Sequence, residues 1–114
     1  MKIKTSELIG RPLDYAVIIA NGWEDDYRKY GFALGAGDST YEPSTDWAQG
    51  GPILVEDMIM YSYAFGLFWT WLNDDPEGDR NPRASGPTLL VAIARCRVAS
   101  KLGDEVDIPE ELLQ

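Results

Sequence analysis

The stretch SGPTLLVAIARCRVASKLG, residues 85–103, decides the fold. Its apolar residues recur at the spacing that places side chains on one side of a helix. One stripe consists of Leu90, Ala94, Val98 and Leu102, and a neighbouring stripe consists of Leu89, Ile93 and Cys96. Two stripes predict a helix that is buried around much of its circumference, with Pro87 in its first turn and Gly103 as its stop.

A second helix is predicted near the N-terminus, over residues 12–20. Pro12 suits the first turn, because its missing N–H is not needed there. The apolar residues with helical spacing are Leu13, Ala16, Val17 and Ala20. Asn21-Gly22 is a left-handed stop. Before this helix, Thr5–Leu8 predicts one capped turn.

Alternating apolar patterns between the two helices predict strands. Residues 59–65 and 67–72 alternate in this way, and Gly66 separates them. A hairpin and a bulged continuation both fit that glycine. A short strand is expected around residues 30–34, and an edge strand or short turn in the tail from Asp104 to Leu113.

The predicted fold is a single α+β domain spanning residues 1–114, in which the two main helices pack on a short antiparallel sheet. A chain of 114 residues can form a core without a metal or disulfide scaffold. Cys96 is the single cysteine, so no internal disulfide forms, which is typical of a reducing compartment. The apolar stretch 58–72 is too short to span a membrane, and the N-terminus lacks the apolar core of a signal peptide.

The composition excludes several functional classes. The chain has 19 acidic and 10 basic side chains, a net charge of −9 and no histidine. Direct binding of nucleic acid or of an anionic membrane requires a basic surface, so neither is expected. Because the chain has no histidine, it cannot form a Ser-His-Asp triad or a Cys-His pair. It also cannot form a metal site with histidine ligands. We expect no catalytic residues, no metal and no cofactor.

Three segments together resemble one family. They are TSEL at 5–8 with LDYAV at 13–17, STDWAQGGPI at 44–53, and GPT at 86–88 with AR at 94–95 and VASKLGDEV at 98–106. The chain is similar to the NinX-type family of small tailed-phage proteins, whose function is unknown. The resemblance implies a phage accessory protein in the cytoplasm of the host bacterium. It implies no catalytic residues.

The segment from residue 41 to residue 52 has neither helical nor strand periodicity and is predicted to be a long ordered loop, stiffened by prolines and glycines. Its Trp47 offers a flat face for stacking a planar group. The polar and glycine residues expected to bind such a ligand are Ser44, Thr45, Asp46, Gln49, Gly50 and Gly51. In the alternative interpretation, Trp47 packs in the core and the polar residues cap helix or turn ends.

Arg95 and Arg97 lie on opposite sides of the helix over residues 85–103, so at least one is expected to be partly buried. Such an arginine could hold a phosphate or carboxylate group of a ligand. We favour an internal ion pair with Asp46 or Asp14, because buried charges usually come paired.

The aromatic residues of the predicted strands exceed what two helices can cover. They are Tyr61, Tyr63, Phe65, Trp69 and Trp71. Part of this set is expected to pack under the helices, and the excess suggests a contact in a homo-oligomer. Two motif matches are weak. The acidic run 73–79 lacks the final glutamate of a calcium loop, and residues 35–40 lack the lysine of a phosphate-binding loop.

These features leave three functional hypotheses, which we rank. The first is a non-enzymatic protein that binds or sequesters a small nucleotide-like or other polar planar ligand and so interferes with host signalling or defence. The second is an acidic module that engages a host or phage protein. The third is an enzyme that uses carboxylates such as Asp14, Asp46 and Glu56 as acid and base.

Overall fold

A computed structural model describes residues 1–34, 39–73 and 83–114 of the chain. In the described residues the chain forms four α-helices, five strands and two 3₁₀ turns. In order, these are β1 (Lys2–Lys4), a 3₁₀ turn (Thr5–Glu7), α1 (Gly10–Ala20), α2 (Glu24–Tyr30), α3 (Trp47–Glu56), β2 (Ile59–Ala64), β3 (Leu67–Leu72), β4 (Ala84–Gly86), α4 (Leu89–Leu102), β5 (Glu105–Asp107) and a second 3₁₀ turn (Glu110–Leu113). The predicted α+β class is confirmed.

Helix α4 lies at the centre of the molecule, and every residue from Leu90 to Val98 is buried. It packs against α1, α3 and both sheets. The prediction placed its start at residues 85–87, but Ser85 and Gly86 belong to β4. The helix begins instead after Thr88, whose hydroxyl oxygen accepts a hydrogen bond from the backbone N–H of Val91 at 3.1 Å.

The β2–β3 pair is a hairpin, which decides between the two predicted alternatives. Ala64 pairs with Leu67, leaving a two-residue turn of Phe65 and Gly66. Both turn residues have positive φ, 56° and 79° respectively, as a type I′ turn requires. The third strand, β4, pairs with the other side of β3, so the strand order is β2-β3-β4.

A second, two-stranded sheet joins the chain ends. β1 pairs antiparallel with β5, and Ile3 lies opposite Val106. The N-terminal ammonium of Met1 contacts Asp107 Oδ1 at 2.9 Å. The predicted edge strand in the tail is present as β5. The turn predicted at Thr5–Leu8 is present as the 3₁₀ turn Thr5–Glu7, but no side chain caps its start.

The predicted strand at residues 30–34 is wrong. The chain forms α2 and then a turn at residues 31–34. The charges of α2 suit a helix, because Glu24, Asp25 and Asp26 lie in its first turn while Arg28 and Lys29 lie in its last.

The predicted loop over residues 41–52 is also wrong in its second half, because α3 begins at Trp47. Asp46 caps this helix by accepting a hydrogen bond from the N–H of Ala48 at 2.9 Å. Pro52 lies inside the helix and removes one backbone donor. Packing offsets that loss, since Gly50 and Ile53 are buried on the side that faces α4.

The two weak motif matches at residues 35–40 and 73–79 lie largely outside the described residues. Within the described ranges, no helix combines the length and the apolar character needed to cross a membrane.

Candidate functional site

A cleft of about 450 Å³ lies between the end of α1, the segment around Tyr41 and one side of α3. Its volume is within the range of small-molecule sites, about 300–1,000 Å³. Both aromatic and polar side chains line it. The residues on which its chemistry depends are Asn21, Trp23, Tyr41, Gln49, Glu56 and Arg97.

The aromatic wall consists of Trp23 and Tyr41. Their ring centroids are 5.1 Å apart and the rings are inclined at 63°, an edge-to-face contact. Tyr41 is buried, whereas Trp23 keeps 38% of its surface exposed. Trp23 lies three residues after the end of α1, and its N–H donates to the carbonyl of Ile18 at 3.1 Å, so the stop of that helix fixes its position. The cleft thus presents an indole held in place by a buried neighbour.

Arg97 closes the polar side of the cleft. Its Nε and Nη2 donate to the two carboxylate oxygens of Asp57, both at 3.0 Å, and Nη2 also donates to Glu56 Oε2 at 2.7 Å. Burial opposes the charge of the guanidinium, but the hydrogen bonds and charges of Asp57 and Glu56 outweigh it and raise the pKa of Arg97. Arg97 is therefore a permanent cation whose charge these carboxylates neutralise.

Asn21 connects the polar and aromatic sides. Its Oδ1 accepts a hydrogen bond from Arg97 Nη1 at 2.8 Å, and its Nδ2 donates to the Tyr41 hydroxyl oxygen at 3.0 Å. Partners in the described residues use four of the arginine's five N–H groups. One N–H of Nη1 and the Tyr41 hydroxyl proton have no partner among the described residues.

The electrostatic balance of the cleft is acidic. In the described part of the chain, Asp46 and Glu56 line it and Asp57 adjoins it, against the single cation of Arg97. A phosphate group would meet an already neutralised arginine and additional negative charge. A ligand with N–H donors would instead find carboxylate acceptors. This site therefore suits a neutral or cationic planar molecule.

Trp47 does not line the cleft. It begins α3 and is 55% exposed, and its ring edge lies 3.4 Å from the position that a Cβ on residue Gly51 would occupy. The ring is thus neither in the concave pocket that the binding hypothesis required nor in the core that the alternative required. The helix explains why Trp47 is outside the cleft, because at 100° per residue it lies on the opposite side of α3 from Gln49 and Glu56, which line the cleft.

The polar residues around Trp47 mainly hold the backbone together. Ser44 donates its N–H to Asp14 Oδ1 at 2.9 Å, and the Thr45 hydroxyl lies 3.4 Å from Glu42 Oε2. Gln49 donates to the carbonyl of Thr40 at 2.8 Å and accepts from the N–H of Glu42. Of the predicted ligand-binding set, Asp46, Gln49 and Arg97 come together at the cleft.

Neither glycine presents a free N–H to the cleft. The N–H of Gly50 donates to the carbonyl of Asp46 at 2.8 Å, within the first turn of α3. A Cβ on Gly50 would lie 2.1 Å from the carbonyl oxygen of Pro43 and 2.8 Å from Leu90 Cδ2. Gly50 is required for close packing, and Gly51 lies beside Trp47 on the outer side of the helix.

Arg95 lies away from the cleft. Its Nε donates to the carbonyl of Leu8 and its Nη1 to the carbonyl of Ser85, both at 2.8 Å. Burial lowers the pKa of Arg95. The predicted ion pairs with Asp14 or Asp46 are wrong. Arg97 has Asp57 and Glu56 as partners, and Arg95 binds backbone carbonyls.

The groups that could supply other chemistry are buried or dispersed. Burial raises the pKa of the Cys96 thiol to about 11, so the thiolate is scarce at neutral pH. Burial also raises the pKa of Asp14, and the hydrogen bond from the Ser44 backbone N–H offsets part of that rise. Among the described residues, no group of three or more acidic or cysteine side chains is arranged to hold a metal ion.

The sequence analysis missed Asn21, Trp23 and Tyr41 as site residues. One signal pointed to them: Asn21-Gly22 ends a predicted helix, and helix ends commonly carry functional loops. The sequence profile of the family described as "Bacteriophage P22, NinX" matches residues 4–101 of the chain. No curated protein gives a significant match.

Proposed function

Since the chain belongs to the NinX family of phage proteins, we propose that it is an accessory protein that binds a small polar planar ligand, without catalysis, in the cleft beside Trp23. The observation that carries the proposal is the juxtaposition of an exposed indole with a fixed polar network. Trp23 supplies a stacking surface, and Asn21, Arg97 and Glu56 supply hydrogen-bonding groups in the same cleft.

The chemistry of the cleft favours a nucleobase or nucleoside over a nucleotide. A flat heterocycle stacks on an indole, and its amino and ring N–H groups donate to carboxylates such as Glu56. A phosphate would be repelled by the acidic surroundings, because the one nearby guanidinium is already paired. This restricts the nucleotide-like class expected from the sequence to molecules that carry no phosphate.

In the host cytoplasm, such binding would lower the free concentration of the small molecule. A phage protein of this kind interferes with host signalling or defence by sequestration, which requires affinity and no turnover. Hence the site needs no nucleophile and no metal.

The first experiment identifies the ligand. Protein purified from infected cells is denatured, and the small molecules that it releases are analysed by mass spectrometry. The second measures binding of a panel of nucleosides and their 5′-monophosphates by calorimetry at low salt. We expect each nucleoside that binds to bind about tenfold more tightly than its monophosphate, a difference of about 1.4 kcal/mol.

Trp23→Ala and Trp47→Ala form a matched pair. Both rings are partly exposed, but only Trp23 lines the cleft. Loss of base stacking costs about 1–3 kcal/mol, so Trp23→Ala should weaken binding about tenfold or more. Trp47→Ala should bind as the wild type does. Equal effects of the two substitutions, or no binding of any member of the panel, would contradict the proposal.

The second candidate is an acidic module that engages a basic host or phage protein. The supporting observations are the net charge of −9 and the exposed carboxylates in the first turn of α2, which belong to Glu24, Asp25 and Asp26. A partner bound at these carboxylates should dissociate on Glu24→Lys and as salt rises.

A further inference from the structure

The two edges of the three-stranded sheet differ in whether other parts of the protein bind their backbone groups. At the β4 edge, the carbonyl of Ser85 accepts a hydrogen bond from Arg95 Nη1 at 2.8 Å. The same guanidinium binds the carbonyl of Leu8, so Arg95 ties the 3₁₀ turn region to this edge. The backbone of β4 is thereby protected from pairing with another strand.

At the other edge, β2 pairs only with β3 among the described residues. The hairpin from Ile59 to Leu72 contains no charged residue and no proline. Natural edge strands usually carry lysine, proline or a bulge that prevents pairing, and β2 has none of these. A six-residue uncharged edge is therefore suited to adding a strand.

The hairpin register shows which backbone groups face outwards. In a hairpin closed by a two-residue turn, the pair that flanks the turn is hydrogen-bonded and the pairs then alternate. The bond from Asn73 N–H to the carbonyl of Met58, at 3.0 Å, fits that phase. The residues whose N–H and C=O groups point away from β3 are Ile59, Tyr61 and Tyr63.

The side chains on this edge are largely exposed. Tyr61 and Tyr63 are half or more exposed, and Phe65 at the tip is 97% exposed. Tyr61 and Tyr63 share a face with Thr70, which packs on α4, but they extend beyond the helix. Met60 lies on the opposite face, beside Trp71. Apolar side chains thus flank the free edge on both faces, as at interfaces.

We propose that β2 pairs antiparallel with β2 of a second copy of the chain, around a twofold axis at Tyr61. The backbone N–H and C=O groups of Tyr61 would then form two hydrogen bonds with those of Tyr61 in the second copy. The sheet would grow from three strands to six. The result is an edge-to-edge homodimer.

Charge identifies the occupant as a second copy. The protein carries a net charge of −9, so two copies repel each other wherever their acidic surfaces meet. The hairpin is a surface on which neither copy brings a charge. Residues 59–72 themselves offer a basic partner no acidic side chain, whereas an identical hairpin offers matching apolar side chains and the same outward-facing backbone groups. The proposal is independent of ligand binding in the cleft.

Sedimentation and hydrogen exchange test this pairing on the full chain. The wild type should sediment at twice the chain mass of 12.7 kDa. The amides of Tyr61 and Tyr63 should exchange about tenfold or more slowly in the dimer than in diluted monomer. Tyr61→Lys should give a folded monomer, because two ammonium groups would lie opposite each other at the axis.

Tyr30→Lys is the matched control, since Tyr30 on α2 is 54% exposed and Tyr61 is 51% exposed. This variant should remain a dimer. A wild type that stays monomeric at all concentrations would overturn the proposal and leave the edge to a strand from another protein. A dimer in which the Tyr63 amide exchanges as fast as in the monomer would overturn it as well.

Discussion

Asn21 Oδ1 accepts a hydrogen bond from Arg97 Nη1 at 2.8 Å, joining the C-terminal end of α1 to the middle of α4. The same amide group donates to the Tyr41 hydroxyl oxygen. One side chain thus positions both the paired arginine and the buried ring that supports Trp23. The geometry of the cleft depends on this long-range bond, because its walls come from separate parts of the chain.

Removal of the Arg97 guanidinium should strongly destabilise the fold. Arg97→Met would leave the Asp57 carboxylate largely buried without its cationic partner. We expect a loss of about 3 kcal/mol in the free energy of unfolding, measured by urea denaturation. Arg28→Met is the control, since the exposed Arg28–Glu24 pair contributes less than about 1 kcal/mol. Similar losses of unfolding free energy in the two variants would show that the ion pairs of Arg97 stabilise the fold no more than an exposed pair does.

The two glycines of α3 should respond oppositely to alanine. Gly50→Ala places a methyl group against the backbone oxygen of Pro43 and should cost about 1–3 kcal/mol. Gly51→Ala meets only the ring edge of Trp47, at an ordinary contact distance. It should stabilise the protein by about 0.5–1 kcal/mol, because alanine favours the helix. Thermal unfolding of both variants measures the contrast, and a stable Gly50→Ala protein would contradict the packing described here.

The N-cap of α3, formed by Asp46, should make a measurable contribution to the free energy of unfolding. Asp46→Ala removes the acceptor for the N–H of Ala48 and should cost about 1 kcal/mol in unfolding free energy. Asp46→Asn keeps an oxygen acceptor and should cost much less. Thr45→Ala, next to it, removes only an exposed contact with Glu42 and should be nearly neutral. If Asp46→Asn is as unstable as Asp46→Ala, the charge rather than the cap stabilises the helix.

The buried Asp14 carboxyl should make stability depend on pH. Burial raises its pKa in the folded protein above the ordinary value of 3.8, so the folded state binds the proton more tightly than the unfolded state. Its contribution is present below pH 3.8 and is lost as the pH rises through the folded pKa. Asp14→Asn keeps an acceptor for the Ser44 N–H and does not ionise.

The measurement is urea unfolding of the wild type and Asp14→Asn between about pH 4 and pH 7, above the ordinary pKa of 3.8. Relative to the variant, the wild type should lose stability as the pH rises. A stability difference that does not change with pH would contradict the raised pKa.

Local sequence predicted the elements whose pattern is long and unbroken. The apolar stripes of α4 and the alternation on either side of Gly66 identified the central helix and the two strands, whereas the structure decided that a hairpin turn joins these strands. The prediction failed at α3, whose two glycines and one proline lower its intrinsic helical preference. Burial of Ile53 against α4 is a tertiary effect that no window of local sequence contains.

The candidate site could be predicted in part. The sequence identified Asp46, Gln49 and Arg97, but it chose Trp47 over Trp23 as the stacking ring. Both tryptophans offer the same chemistry. Which of them lines a cleft depends on the rotational phase of α3 and on the end of α1, and the phase of α3 is set by its packing.

By itself, the sequence determined the α+β class, the buried central helix, the two alternating segments on either side of Gly66, the family and the acidic charge, because each follows from local periodicity, motif or composition. Only the tertiary structure decided the partners of Arg95 and Arg97, the helix at residues 47–56 and the position of the cleft. Arg97 contacts Asn21 and Asp57, residues 76 and 40 positions away along the chain. Such long-range contacts form only when the helices pack together, and local sequence preferences do not specify that packing.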